Sequence, residues 1–321
     1  MPSTRISKQL EDSVARIEAL LLSGERDIAR SFLDILNTIR DNTTEEQLAS
    51  LIEVGDLVQI NSLLQPISFG LAAFLISLYV RSGQDTARFI NANIESIVAF
   101  DQSAIGSVTF MQNTRNRIVT EFMQRQSEAV RAVIIDGIAR GLNPIEQGRQ
   151  LRSVIGLTPD QIQIIGNYRR LLETNSRRAL NRRLRDRRFD STINNAIDQG
   201  IPIPPAQIDR IVDRYTSRLI NLRANVIART EALAVVHQGV DEMYQQSIDA
   251  GILDANELVN EWFTSRDEKV RTSHASMNGQ RRGIGESFVT GSGNFLRFPG
   301  DPRAPINERA FCRCIKTVQF R

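Results

Sequence analysis

Two cysteines in 321 residues, Cys312 and Cys314, give this chain no disulfide framework. One residue separates them, so a bridge between them would strain the disulfide geometry. Thiols used so sparingly fit assembly in a reducing compartment. Lysine is nearly as scarce: of 40 basic residues only Lys8, Lys269 and Lys316 are lysine, and the others are arginine. The arginine fork suits carboxylates and phosphates, although the codon usage of a GC-rich genome gives the same excess. A net charge of +3 excludes a dedicated DNA condenser. Long apolar runs are also missing. The best, Ile67 to Val80, falls short of the roughly 20 residues that cross a bilayer, so it reads as a buried helix and no membrane segment is expected. The polar start, Met1 to Asp12, has no secretory apolar core. No phosphate-loop, H-E-x-x-H, G-x-S-x-G or dinucleotide motif occurs, and Gly291-Ser292-Gly293 has no lysine after it.

What is present is mostly helix. Apolar residues recur at helical spacing in Ile17-Leu20-Leu21, Phe32-Ile35-Leu36-Ile39 and Val130-Val133-Ile134-Ile138. Thr43-Thr44-Glu45-Glu46, Asn143-Pro144 and Thr158-Pro159-Asp160-Gln161 read as helix starts, with Gly24, Gly55, Gly83 and Gly141 as punctuation. The expected fold is mainly α, with long helices in the N-terminal half and an α+β domain with a small sheet near the C-terminus. The division drawn is 1–154, a helical domain, and 155–321, a long helix over 205–240 with an α+β end.

A basic helix is expected from about Gln161 to Arg188, carrying Arg177, Arg178, Arg182 and Arg183 among nine arginines. It reads either as a phosphate-contacting face or as a solvated face meeting an acidic partner. No aromatic residues alternate with the arginines to stack bases, which favours the second. Ile201-Pro202-Ile203-Pro204-Pro205 then forms a stiff connector. Beyond it, spacings of four and three link Ile208, Val212, Tyr215, Leu219, Leu222, Val226, Arg229, Leu233, Val236 and Val240 into one helix over 205–240. Arg229 interrupts this apolar seam, so a carboxylate or turn carbonyls of another segment must hold it.

The scarce residues gather at the end of the chain: Trp262, Asp267, Val270-Arg271, His274, Asn278-Gly279, then Pro299, Pro302 and Pro305, and Cys312-Arg313-Cys314. Val259 to Thr264 reads as a strand, Ser265 and Glu268 as a capping box opening a helix that stops near Gly279, Gly283 to Gly293 as a flexible loop, and Phe295 to Phe298 and Ala310 to Phe320 as strands. On that helix Asp267, Arg271 and His274 would share a face. A zinc site from His274, Cys312 and Cys314, with Asp267 as fourth ligand, has the right ligand types. Its cysteine spacing departs from the two-to-four-residue gaps of structural sites. The favoured reading is a packed polar cluster with no metal and no other cofactor, in which Asp267 or His274 satisfies Arg229 or loop carbonyls. No activated nucleophile with a base is recognisable, so no enzyme is expected.

In order and type these motifs, with Arg229-Thr230-Glu231 upstream, resemble the C-terminal domain of the bacteriophage Mu F-like minor head proteins, from about Ile155 to Phe320. One departure is Phe311 before the C-R-C, where asparagine or a similar polar residue is frequent. The resemblance implies a virion protein of the phage head, present in the host cytoplasm during assembly. Its implied partners are the portal protein and other head proteins, with packaged double-stranded DNA as a further candidate. Implied roles are head morphogenesis, DNA packaging or genome ejection. The alternative is an injected effector with nuclease-like or metal-dependent activity.

Overall fold

The computed structural model describes residues 2–320. Eight longer helices come first: α1 (Pro2–Asn42), α2 (Glu45–Glu53), α3 (Leu57–Asn91), α4 (Ile105–Ala139), α5 (Pro144–Val154), α6 (Pro159–Glu173), α7 (Asp190–Gln199) and α8 (Pro205–Asp249). The remainder is short elements: β1 (Leu258–Phe263), α9 (Thr272–Ala275), β2 (Arg281–Arg282), β3 (Phe288–Val289), β4 (Phe295–Leu296), α10 (Ile306–Arg309) and β5 (Ile315–Phe320). The fold is the expected one, long helices followed by small antiparallel sheets.

Three of the starts are capped as their sequences require. Thr44 accepts from the Gln47 N–H, and Asn143 with Glu146 and Thr158 with Gln161 close reciprocal capping boxes ahead of prolines. Gly55 and Gly141 turn the chain at φ 71° and 68°. Gly24 and Gly83 do not punctuate: they lie inside α1 and α3. A Cβ there would meet Leu78 at 2.4 Å and the Phe100 ring at 2.3 Å, so they serve close packing.

Two compact units interleave along the sequence. The first comprises Met1–Arg30, Leu71–Asn116 and Asn225–Arg321; the second comprises Ser31–Gly70 and Arg117–Ala224. In the second, Phe32 meets Phe122 edge-on at 6.0 Å, and Tyr168 stacks on Tyr215 at 4.3 Å. In the first, Ala87, Ile90, Val98, Val240, Met243, Tyr244, Leu258 and Val318 form a core joining α3, α8, β1 and β5. The sheet order is β2-β1-β5, with Trp262 opposite Lys316, and β3 pairs separately with β4.

α3 contains the Ile67–Val80 stretch. By length and composition it is the one helix among the described residues that could cross a membrane. Ile67, Leu71, Leu75 and Tyr79 are nonetheless buried inside the protein, while Phe69 and Phe74 are exposed.

Three expected elements differ. The basic helix ends at Glu173, because Asn175 takes a left-handed φ of 46° and its amide bonds the carbonyls of Ala196 and Ile201. The helix expected from Ser265 is a loop followed by the single turn α9. Arg266 there has φ 51°, and Asp267 accepts from the Lys269 N–H instead of lying on a helix. The strand expected from Ala310 starts only at Ile315, after α10 and a turn at Phe311 with φ 56°.

α8 runs beyond its expected end, and its apolar seam drifts. Leu222 is exposed and Arg223 is buried in its place. A seven-residue repeat falls behind the 3.6-residue turn of a straight helix, which moves the buried face by about 20° per heptad. Arg223 lies 5.6 Å from the Phe122 ring and donates to Gln161, and burial with nearby Arg125 pushes its pKa down to about 10.

His237 fixes β5 to α8. It is fully buried, with Nδ1 2.9 Å from the Leu233 carbonyl and Nε2 accepting from the Lys316 N–H at 3.0 Å. Burial, reinforced by Lys316 and Arg229, outweighs the Leu233 bond and pushes its pKa from 6.5 down to about 3. Between those values the unfolded chain binds a proton that the native state refuses, so stability falls as pH drops from about 6.5, by up to ~1.4 kcal/mol per unit. Urea melts at pH 7 and pH 5 should show this loss, with a smaller change in His237→Gln. Equal changes in both chains would remove His237 from the account.

Candidate functional site

The site is built where α8 grips the segment before β5. Three consecutive helix residues do this. Arg229 donates from Nε to the Cys312 carbonyl at 2.9 Å and pairs through Nη1 with Glu25 of α1 at 2.5 Å. Thr230 Oγ1 accepts from the Phe311 N–H at 3.0 Å, and Glu231 lies 3.5 Å from Arg309. Arg229 is therefore held by both a carboxylate and a turn carbonyl, as its place in the seam demands. Burial raises the Glu25 pKa, against the lowering pull of Arg229. From the other side Arg271 donates to the Ala310 carbonyl.

This clamp presents Cys312 and Cys314 to His274 on α9. All three are buried, at 1%, 3% and 1% exposure respectively. His274 Nδ1 lies 3.5 Å from Cys312 Sγ and 3.6 Å from Cys314 Sγ, and the Cys314 N–H points at Cys312 Sγ from 3.5 Å. A hydrogen bond from Cys314, with His274 assisting against burial, holds the Cys312 thiol well below its ordinary range, while that same bond, burial and the Cys312 charge push the Cys314 thiol up.

Behind the ring, His274 Nε2 is 3.1 Å from Glu308 Oε2. Glu308 is itself buried and accepts from Ser273 at 2.8 Å, Ser292 at 2.6 Å and Asn294 at 3.1 Å. Burial opposes its charge, yet those three donors and His274 hold the carboxyl below its usual range. The Gly291 to Gly293 turn is thus not a free loop: Ser292 is tied to Glu308, and the Gly291 N–H bonds the Ser273 carbonyl at 2.7 Å. Trp262 packs its ring edge-on to His274 at 5.8 Å and against Phe288 at 5.2 Å. Gly279, at φ 78°, donates to the Trp262 carbonyl at 2.8 Å and returns the chain along β1.

Arg229, Thr230, Glu231, Trp262, Arg271, His274, Cys312 and Cys314 therefore converge. Asp267 does not join as a ligand, because it forms a bidentate pair with Arg313 and no ion pair with Arg271. Sequence reasoning missed Glu308, Ser273, Ser292, Asn294 and Glu25. A lone acid in a proline-rich loop and a glutamate far upstream carry no local pattern; only the demand of Arg229 for a carboxylate pointed towards Glu25.

The arginine candidates lie in the second unit, Arg177 and Arg178 on a short 3-10 helix (Arg177–Asn181) and Arg182 and Arg183 on the turn after it. Arg177 pairs with Asp198 at 3.3 Å; Arg178 and Arg183 are exposed, and Arg182 is half-buried. Several neighbours are committed to carboxylates: Arg185 to Asp190 at 2.9 Å, and Arg188 to Asp186 at 2.6 Å.

Phe311 occupies a left-handed turn and is 48% exposed. Such a backbone costs a residue with a Cβ about 1–2 kcal/mol, and asparagine adopts it more readily. Phe311→Asn should raise the urea midpoint by the equivalent of about 0.5–1 kcal/mol. A lowered midpoint would mean that ring contacts outweigh the strain.

The clamp, the buried histidine and the C-R-C define a structural domain built around one polar cluster. Residues 175–317 match the family described as Phage Mu protein F like protein, so this part of the chain is similar to that family. No curated protein and no solved structure matches the chain.

Proposed function

We propose that this protein is a minor head component of a tailed bacteriophage, associated with the portal vertex and acting in head morphogenesis, DNA packaging or genome ejection. The observation that carries the reading is the family match over 175–317. The location follows from it: the virion head, after assembly in the host cytoplasm. The partners are the portal protein and other head proteins. The distinctive side chains support docking rather than catalysis. They brace one another, and the histidine and both thiols are almost closed to solvent, which leaves a substrate no approach. That burial also disfavours an injected metal-dependent enzyme.

The helices of 1–154 would supply the portal contact or multimerisation surface. Val58 on α3 and Ile105 on α4 are each more than four-fifths exposed, as residues of a contact surface on their own unit would be.

Density-gradient-purified particles of the encoding phage, analysed by quantitative mass spectrometry, test the proposal. The chain should be present at far fewer copies than the major capsid protein. Its absence from both proheads and mature particles would end this reading.

Contact with packaged DNA is a separate expectation. Binding of the purified chain to duplex should weaken with salt, and changing Arg177, Arg178, Arg182 and Arg183 to Gln should flatten that dependence. No salt-sensitive binding at low ionic strength would leave these arginines to a protein partner.

A further inference from the structure

We propose that His274 Nδ1, Cys312 Sγ and Cys314 Sγ bind a single zinc ion that fastens α9 to the segment preceding β5, with Glu308 orienting the histidine from behind. This goes beyond the head-protein reading and does not depend on it.

The ligand atoms are spaced for a metal. With Zn–S bonds of about 2.3 Å and Zn–N of about 2.05 Å, a tetrahedron has N···S edges of about 3.6 Å and an S···S edge of about 3.8 Å. The two Nδ1–Sγ separations are 3.5 and 3.6 Å, and the three ligand atoms all lie within 4.8 Å of one another. Two thiolates and an imidazole are soft to borderline ligands, which select zinc over magnesium or calcium.

The surroundings are those of a ligand set held in place. Nδ1 faces the sulfurs, and Nε2, buried and without a hydrogen-bond partner, lies 3.1 Å from Glu308 Oε2, near enough for the carboxylate–histidine contact that orients a metal-bound imidazole. Glu308 cannot ligate the same ion, since it sits across the ring, and its oxygens are already engaged by Ser273, Ser292 and Asn294. The Cys314 N–H is aimed at Cys312 Sγ, and the buried Trp262 indole N–H has no hydrogen-bond partner. A backbone donor to Cys312 Sγ suits a thiolate better than a thiol.

A C-x-C spacing is compatible with one ion here because of the local backbone. Cys312 and Cys314 do not sit in a strand; they follow the left-handed turn at Phe311, which folds both sulfurs towards His274. Three protein ligands leave one tetrahedral position for a water molecule. The other histidine, His237, is engaged by Leu233 and Lys316 and takes no part.

The test uses the full-length chain purified from zinc-supplemented medium. Elemental analysis should give about one zinc per chain. After chelation, cobalt(II) should restore binding and produce a thiolate-to-cobalt charge-transfer band that zinc abolishes. Glu308→Gln keeps the ligands and should weaken zinc binding by about 10–100-fold. Cys312→Ser and Cys314→Ser should each lose the charge-transfer intensity, and circular dichroism would show whether they fold. A folded parent chain with no stoichiometric metal and no cobalt–thiolate band would overturn the proposal. So would a folded Cys312→Ser or Cys314→Ser chain that binds zinc as tightly as the parent.

Discussion

Arg229→Glu should be the most damaging single substitution in the C-terminal domain, lowering stability by about 3–5 kcal/mol. The damage comes from what the substitution leaves behind. Arg229 and Glu25 are only 18% and 21% exposed, so their 2.5 Å pair is shielded from water. A second carboxylate there would set two like charges together and abandon the Cys312 carbonyl, which Arg229 now satisfies. Arg229→Met removes the charge but fills the seam, and the freed Glu25, already raised in pKa by burial, can take up a proton. That variant should cost about half as much or less. Thermal melts of both against the parent decide it. If Arg229→Glu melts with the parent, the grip of α8 on the Cys312 segment is not what holds the domain.

The second large effect is expected where α8 crosses α3. A Cβ on Gly239 would lie 2.5 Å from the Tyr79 carbonyl and 3.1 Å from the Gly83 nitrogen, both backbone atoms that cannot swing aside. Gly239→Ala would gain about 1 kcal/mol of helix propensity. The forced separation of the helices should reverse that, for a net loss of about 1–3 kcal/mol. Gly166 is the control, because it lies in the exposed face of α6 with nothing within 4 Å of a built Cβ. Gly166→Ala should stabilise by up to about 1 kcal/mol. Urea midpoints that move in the same direction for both would contradict the close crossing.

Much of this fold is legible because local chemistry decides it. Thr44, Asn143 and Thr158 cap helices wherever they stand, and the seam of α8 announces one long helix. The failures come where distant residues outbid local preference. Ser265 and Glu268 make a proper capping box on paper, yet Asp267 is captured by Arg313 and Arg271 by the Ala310 carbonyl, both some forty positions away. The helix they would have shared reduces to one turn carrying His274.

The site was half visible for the same reason. Arg229, Trp262, His274 and the two cysteines stand out by rarity or by misplacement in an apolar seam. Glu308 does not. Its role exists only once the turn containing Ser292 and Asn294 folds against α9. The Arg223 and Leu222 exchange on α8 shows a further limit, since a seam read at fixed spacing cannot register the slow rotation of a straight helix.

Whether the chain serves the phage head, as proposed from the family match, is answered by a deletion tested by complementation. Phage lacking the coding sequence should yield particles that are misassembled, short of DNA or unable to deliver it, with infectivity restored when the intact chain is supplied in trans. Normal numbers of infectious, DNA-filled particles without the chain would contradict the account.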